Sequence, residues 1–319
     1  MSSEKPSKPM QLTDVAPEMR TPLLRLRLPS IEHRFGLAVS RKLGSLSSNP
    51  DLSGVLLTVT PQDVVPALRI FTSAAPAADR PSGALLWIHG GGMVSGTAKS
   101  GDRFCADICR QTGLAVFSVE YRLAPEHPFP EGLDDCAAAW QWVADNASRF
   151  NADPARIVVG GDSAGGGLAA TLAQRLHDTG EHPVGQLLIY PMLDDRTAAD
   201  QELDLVKHYV WNNRSNRAGW RHYLQREPGA AELPPYAAAS RREDLSGLPP
   251  AFIGIGDIDL FYAESRDYAE RLTAAGVPVE LDTVRGGYHG FVMISWKAAS
   301  AENQRAHIRE WLTRRTAAA

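Results

Sequence analysis

The chain has 319 residues, of which 44% are hydrophobic and 22% are charged, and its formal net charge is −4. A chain of this length and composition can bury a large hydrophobic core, either as one domain or as one domain with an added segment. The acidic balance and the lack of a basic stripe argue against a nucleic-acid partner. A polar N-terminus and no long apolar run predict neither a signal peptide nor a membrane span. The cysteines are odd in number and lie in helix-like segments, which predicts buried free thiols and a cytoplasmic location: Cys105, Cys109 and Cys136.

Short β-rich segments alternate with helical patterns over most of the chain. Several of them are continuously apolar, as expected of strands covered by helices on both faces. An earlier segment, 55–61, predicts an antiparallel edge strand. The other predicted strands are 67–73, 83–90, 114–124, 156–161, 185–193, 250–257 and 277–284. Strands alternating with helices indicate an α/β class with a mostly parallel sheet.

Helical spacing of apolar residues predicts helices over 130–146, 164–178, 261–275 and 299–315. Residues 10 to about 50 and about 196 to 248 read as helices without intervening strands. Because open α/β folds place their sites at the carboxyl edge of the sheet, we expect both segments to cover that edge. The predicted organisation is a tail with cap helices, a first core part, a cap insertion and a second core part, over 1–50, 51–195, 196–248 and 249–319.

The segment 161–165 reads Gly-Asp-Ser-Ala-Gly and matches the pattern G-x-S-x-G. In that pattern a strained turn between a strand and a helix exposes the serine, and flanking side chains would clash. Here a predicted strand precedes Ser163 and a leucine-striped helix follows it. The motif alone leaves open a passive serine in an ordinary glycine turn.

A second glycine-rich segment, His-Gly-Gly-Gly at 89–92, directly follows the apolar run Ala-Leu-Leu-Trp-Ile at 84–88. Backbone N–H groups of such a loop can approach a ligand closely, which suits an oxyanion hole. Glycine turns after strands also hold phosphates, but no G-x-G-x-x-G pattern and no following Lys-Ser/Thr accompany this one.

A serine nucleophile needs a base, and that base needs an orienting carboxylate. His289 follows the last predicted strand, at the edge where a base belongs. Asp259 follows the strand 250–257, and Asp257 is its nearby competitor. The chain order Ser163, Asp259, His289 is the order found in α/β-hydrolases. The paired acids at 134–135 and 194–195 show no ligand spacing for a metal, so we expect capping and loop hydrogen bonds there.

The sequence resembles the hormone-sensitive-lipase-like family of α/β-hydrolases from about residue 67 to the C-terminus. Seven stretches carry the resemblance in family order: "HGGG", "YRLAPEHPFP", "DPARIVVGGDSAGGGLAA", "YPMLDD", "LPPAFIGIGDIDLF", "YAERLTAAGVPVEL" and "GGYHGF". It implies an α/β-hydrolase fold, a mostly parallel eight-stranded sheet flanked by helices with a helical cap. The stretch "DIDLFYAES" departs from the "DPLRDE" of many relatives, which keeps Asp257 open as the acid beside the favoured Asp259.

The resemblance implies a serine carboxylesterase acting on short- to medium-chain acyl esters, without a metal or organic cofactor. Ser163 matches the nucleophile, His289 the base and Asp259 the acid. The oxyanion hole would use the N–H groups of Gly91, Gly92 and Ala164. We expect four further residues to contact substrate: Met93, Val94, Trp211 and Phe291. A homodimer is also implied by the resemblance.

Two other functions remain open at this point. An amidase, lactonase or deacetylase would use the same three side chains. A non-catalytic ligand receptor on this fold would not need His289, which argues against that alternative.

Overall fold

The computed structural model describes residues 8–25, 31–44, 50–60, 66–75 and 81–318. Its strands form one eight-stranded sheet in the order β1-β2-β4-β3-β5-β6-β7-β8. The first two pairings, β1 with β2 and β2 with β4, are antiparallel, and all the others are parallel. The strands are β1 Val55–Val59, β2 Ala67–Ser73, β3 Ser82–Ile88, β4 Ala115–Glu120, β5 Ala152–Asp162, β6 Gly185–Ile189, β7 Ala251–Gly256 and β8 Val279–Val284. This confirms the predicted α/β class and the mostly parallel sheet.

The α-helices of the described residues connect these strands, lie in the two predicted cap segments or follow the last strand. Their bounds are α1 Arg34–Gly44, α2 Asp102–Thr112, α3 Glu131–Asn146, α4 Ala164–Asp178, α5 Asp195–Ala199, α6 Asn213–Leu224, α7 Tyr262–Ala274, α8 Phe291–Ile294 and α9 Ala299–Arg315. The predicted helices 164–178 and 299–315 are found with the same bounds as α4 and α9. The three cysteines are free and buried.

The core lies around the central strands, which are buried on both faces. Leu85, Leu86, Trp87 and Ile88 of β3 and the whole of β6 are buried because helices pack over the sheet. The edge strands β1 and β8 are largely exposed. Since β3 to β8 run parallel, the loops at their carboxyl ends meet at one edge, and the site is built there.

Strand ends differ from prediction where a residue leaves the extended conformation. The predicted strand 185–193 ends at Ile189, because Tyr190 takes a left-handed φ of 37° and so leaves the extended conformation. The predicted strand 114–124 ends at Glu120, the last residue that pairs with β2. Residue 61 of the predicted strand 55–61 lies outside the described residues.

The two predicted cap segments are in contact with each other. Met10 donates its N–H to the carbonyl of Val206 at 2.7 Å, and His222 Nε2 lies 3.2 Å from the carbonyl oxygen of Ile31. Both segments also contain short 3₁₀ helices, at Pro17–Met19, Pro22–Arg25, Gln201–Leu205 and Ala239–Arg241. Parts of the predicted segment 1–50, namely 1–7, 26–30 and 45–49, lie outside the described residues. In the described ranges, no helix combines the length and the apolar character that crossing a membrane requires.

Candidate active site

Ser163 occupies the turn between β5 and α4 in a conformation that side chains rarely adopt, with φ 54° and ψ −120°. The neighbouring glycines make the turn possible. A Cβ on Gly161 would lie 2.3 Å from the carbonyl oxygen of Gly165, and a Cβ on Gly165 would lie 2.0 Å from that of Ile88. Both distances are below any real contact, so the turn depends on glycine at both positions.

Backbone hydrogen bonds hold this turn from both sides. Ser163 donates its N–H to the carbonyl of Ile189 at 2.9 Å, at the end of β6. Its own carbonyl accepts from the N–H groups of Gly167 and Met192, at 3.1 and 2.9 Å. The strained backbone of Ser163 is therefore fixed by the first turn of α4 and by the segment after β6.

His289 follows β8 and reaches the serine. Its Nε2 lies 2.8 Å from Ser163 Oγ, within hydrogen-bonding distance. The imidazole lies between two aromatic rings, with centroids 5.0 Å away for Tyr190 and 5.1 Å away for Phe261. Both rings meet it edge-on, a favourable aromatic geometry that fixes the plane of the imidazole.

Asp259 holds the other side of the imidazole. Its Oδ2 and Oδ1 lie 2.9 and 3.1 Å from His289 Nδ1, and Oδ1 also accepts from the N–H of Phe261 at 2.9 Å. Asp257 has a different partner, since its Oδ1 accepts from the N–H of Gly286 at 2.6 Å. The structure thus brings Ser163, His289 and Asp259 into one hydrogen-bonded row.

The row is shielded from solvent. Ser163 is 7% exposed, His289 6% and Asp259 4%. In such surroundings the carboxylate and the imidazole interact through a lower dielectric than in water, which strengthens their mutual orientation.

The His-Gly-Gly-Gly loop lies directly against this row, because a Cβ on Gly90 would come 3.2 Å from Ser163 Cβ. His89 is buried and stacks on Tyr121 at 4.3 Å, with its Nδ1 2.8 Å from the carbonyl oxygen of Gly90. Burial lowers the pKa of His89 to about 4, so the ring is neutral at pH 7. Asp162 Oδ1 accepts from the Gly90 N–H at 3.0 Å. His89 and Asp162 therefore hold the loop in place.

Three backbone N–H groups beside Ser163 have no acceptor among the described residues. Gly91 and Gly92 have φ values of 124° and 63°, and within the residues that the structure describes no acceptor takes either N–H. Ala164 is the first residue of α4, where a helix N–H has no acceptor in its own helix. A Cβ on Gly91 would lie 2.0 Å from the carbonyl oxygen of Ser95, so the loop needs glycine there.

The four residues predicted to contact substrate occupy different surroundings. Val94 and Phe291 are wholly buried, and Met93 is 3% exposed. Trp211 lies against the glycine loop, because its Cη2 would come 2.3 Å from a Cβ on Gly92. Substrate contact by these residues stays a prediction. Tyr190 and Phe261 were not predicted as site residues, although aromatic residues just after two strands were a usable signal.

The paired acids have protein partners. Asp194 caps α5 by accepting from the Arg196 N–H at 2.9 Å, and the other three pair with arginines at 2.5 to 2.8 Å: Asp134 with Arg175, Asp135 with Arg122 and Asp195 with Arg241. Among the described residues, no group of three or more His, Cys, Asp or Glu is arranged to hold a metal ion.

Comparison with known proteins gives the family. A family model described as the alpha/beta hydrolase fold matches residues 85–293. The chain belongs to this family. The predicted resemblance to the hormone-sensitive-lipase-like hydrolases and their fold is thereby confirmed.

Named relatives and solved structures agree with this assignment. The chain is 39% identical to the carboxylesterase NlhH of Mycobacterium tuberculosis over 226 residues, 68% of this chain and 70% of that protein. It is 30% identical to Lipase 2 of a Moraxella species, over 92% of this chain and 77% of that protein. A solved structure named bacterial heroin esterase superposes with a TM-score of 0.87 at 34% identity, covering 96% of this chain and 99% of that one.

Proposed function

We propose that this α/β-hydrolase is a serine carboxylesterase that hydrolyses short- to medium-chain acyl esters through an acyl-enzyme. The observation that carries the proposal is the 2.8 Å contact between Ser163 Oγ and His289 Nε2, with Asp259 on the opposite ring nitrogen. The class, a carboxylic ester hydrolase, agrees with relatives named carboxylesterase, esterase and carboxylic ester hydrolase.

In the first half of the reaction Ser163 Oγ attacks the carbonyl carbon of the ester. His289 Nε2 takes the hydroxyl proton, and the imidazolium that forms is stabilised by the carboxylate of Asp259. The carbonyl oxygen becomes an oxyanion, which accepts from the N–H groups of Gly91, Gly92 and Ala164. The bond to the alcohol oxygen then breaks, and His289 returns its proton to that oxygen.

In the second half a water molecule replaces the alcohol. His289 Nε2 removes a proton from the water as its oxygen attacks the acyl carbon, and the same N–H groups stabilise the second oxyanion. Collapse of this intermediate breaks the bond to Ser163 Oγ, which regains its proton from His289. The products are a carboxylic acid and an alcohol, and the residues return to their starting protonation states.

Hydrolysis of p-nitrophenyl butyrate by wild type and by Ser163→Ala tests the proposal. We expect kcat to fall about 10⁶-fold in the variant, as when a serine nucleophile is removed from such a row. The exposed Ser100 offers a matched control, and Ser100→Ala should keep wild-type kcat. Equal rates for wild type and Ser163→Ala, or no hydrolysis by either, would contradict the mechanism.

Chain length is tested on a series of p-nitrophenyl esters from acetate to palmitate. We expect kcat/KM to be highest among the acetate, butyrate and hexanoate and to fall steeply for the palmitate. Faster hydrolysis of butyryl p-nitroanilide than of the butyrate ester would instead favour an amidase.

A further inference from the structure

Arg41, in the N-terminal helix α1, contacts the loops after β3 and β4. Its Nε–H donates to the carbonyl of Val94 at 2.7 Å, and its Nη2 donates to the carbonyl of Ala124 at 2.8 Å. Glu126 accepts from Nη1 at 3.0 Å and from Nη2 at 2.7 Å. These four hydrogen bonds fix the plane of the guanidinium, so that its Nε–H points at the loop that contains the three glycines.

The carbonyl of Val94 belongs to a peptide group whose opposite side contacts Gly91. The N–H of Ser95, which shares a planar peptide with that carbonyl, donates to the carbonyl of Gly91 at 3.0 Å. The Val94 N–H and Ser95 Oγ donate to the same carbonyl oxygen, at 3.2 and 2.9 Å. The carbonyl of Gly91 is therefore held toward residues 94–95.

The peptide group between Gly91 and Gly92 extends this series of hydrogen bonds to the candidate oxyanion hole. Its carbonyl belongs to Gly91 and its N–H to Gly92, and in a trans peptide the two point in opposite directions. Because the carbonyl faces residues 94–95, the Gly92 N–H faces away from them, and it has no acceptor among the described residues. A continuous series of donors and acceptors thus connects the guanidinium of Arg41 with the N–H of Gly92 through two peptide groups.

Hydrogen bonds in such a series strengthen one another. A cation that donates to a peptide carbonyl polarises that peptide and makes its N–H a stronger donor, and the next peptide responds in the same way. The effect is larger where water is excluded, and Gly92, Val94 and Ser95 are all buried. The positive charge of Arg41 therefore favours a strong and well-oriented donor at Gly92.

We propose that Arg41 is a positioning residue of the esterase reaction, which orients and polarises the Gly92 N–H for the oxyanion. It acts through the two peptide groups and touches no substrate. Because the negative charge on the carbonyl oxygen develops in the transition state, the effect of Arg41 is on kcat rather than on substrate binding. This inference rests on the proposed esterase function.

Replacement of Arg41 by methionine removes the charge and the donors but keeps a long side chain. For Arg41→Met we expect kcat and kcat/KM for p-nitrophenyl butyrate to fall together, about tenfold, with KM within twofold of wild type. The loss is smaller than the roughly 10²- to 10³-fold effect of removing an oxyanion donor, because the Gly92 N–H itself remains. Arg41→Lys keeps a positive charge with N–H donors, so its kcat should stay within threefold of wild type.

Two ketones of matched shape provide a readout that a merely structural role would not change. Butyl trifluoromethyl ketone is attacked by Ser163 Oγ, whose proton passes to His289 Nε2, and the hemiketal that forms carries an oxyanion. Butyl methyl ketone binds as the uncharged carbonyl compound. In Arg41→Met we expect the inhibition constant of the trifluoromethyl ketone to rise about tenfold and that of the methyl ketone to stay within twofold of wild type.

The exposed ion pair offers a control for the alternative that Arg41 only fastens α1 to the core. The side chain of Glu126 is 55% exposed, so water screens its attraction to Arg41. Glu126→Gln removes this ion pair and leaves the bond from Arg41 Nε–H to Val94, and its kcat should stay within twofold of wild type. Arg34, exposed at the start of α1, is the control for the change of residue type, and Arg34→Met should keep wild-type kcat.

Each rate is divided by the concentration of Ser163 that reacts to completion with a p-nitrophenyl phosphonate, so unfolded protein is not counted. If Arg41→Met does not fold, Arg41→Gln, which is also neutral, takes its place with the same expected fall. Wild-type kcat in the neutral variant, a rise in KM in place of the fall in kcat, an equal loss in Glu126→Gln or an equal effect on both ketones overturns the inference. These outcomes leave the esterase function intact, whereas that function itself fails if wild type hydrolyses no p-nitrophenyl ester.

Discussion

The loops after β5, β7 and β8 and the segment Val206–Trp211, called the strap, differ in whether their buried polar atoms have protein partners. In the loops, Ser163 Oγ, both ring nitrogens of His289 and the carboxylate of Asp259 all have protein partners. In the strap, His208 Nδ1 and Trp211 Nε1 are buried without a partner among the described residues. The polar side chains of the loops are thus oriented before a substrate arrives, whereas the strap has buried polar atoms that still lack a hydrogen-bond partner.

This contrast separates two contributions to an enzyme's rate. Groups that are already oriented stabilise a transition state without reorganising when the charge develops. Groups without a partner gain most from a ligand that satisfies them and discriminate against one that does not. We therefore expect substitutions in the loops to lower kcat for every ester, and substitutions in the strap to change which ester is preferred.

The largest effect is expected from the loop carboxylates. Asp259→Asn should lower kcat for p-nitrophenyl butyrate about 10⁴-fold, because an amide stabilises the wrong tautomer of His289. Asp257→Asn is the matched control two residues away, and its amide oxygen can still accept from the N–H of Gly286. A loss in Asp257→Asn as large as in Asp259→Asn would show that the hydrogen-bonded row does not define the acid.

The next effect is expected at Gly92, in the loop after β3, which contacts the strap residue Trp211. A methyl group there meets the ring of Trp211, and a φ of 63° strains any side chain, so Gly92→Ala should displace the N–H donor. We expect kcat to fall about 10²- to 10³-fold, the usual result of losing one oxyanion donor. Activity is measured on p-nitrophenyl butyrate.

Gly113 offers a control for that prediction, because alanine there has the same backbone strain but no contact with Trp211. Gly113 has a φ of 75°, and a Cβ there would have no heavy atom of the described residues within 4 Å. Gly113→Ala should lower stability by about 1 kcal/mol and leave kcat unchanged. If both alanine variants lose the same activity, the contact with Trp211 is not what positions the glycine loop.

The elements whose bounds were predicted correctly are those that local sequence patterns define. Strand β2 and helix α9 have their predicted bounds, because an apolar pattern and chain-end signals define both. The end of β6 was not predictable, since it is marked by the positive φ of Tyr190, a backbone conformation that a tyrosine rarely adopts. The apolar pattern of the sequence continues past this residue and carries no signal of the turn.

The choice between the two candidate acids shows the same limit. Asp257 and Asp259 both follow β7 within three residues, so chain position alone could not separate them. The structure distinguishes the two carboxylates by their partners, which are remote in sequence. Asp257 accepts a hydrogen bond from the N–H of Gly286, whereas Asp259 contacts His289.

The smallest expected effect compares two neutral imidazoles, His89 in the loop after β3 and His208 in the strap. Burial lowers the pKa of each to about 4, below the value of about 6.5 of an unfolded chain. Between these values the unfolded chain binds more protons, so the free energy of unfolding falls as pH falls from about 7 to 4. His89→Asn cannot take up that proton and should lose less stability over this range, by up to about 3 kcal/mol.

His208→Gln should flatten the same pH dependence by a similar amount, because the pKa of His208 is lowered to the same value of about 4. Urea unfolding at about pH 7 and about pH 4.5, followed by tryptophan fluorescence, measures both differences. A flatter dependence in both variants means that the strap unfolds together with the core. If only His89→Asn flattens it, the strap opens before the sheet unfolds, and its unpartnered donors then belong to a segment that moves independently.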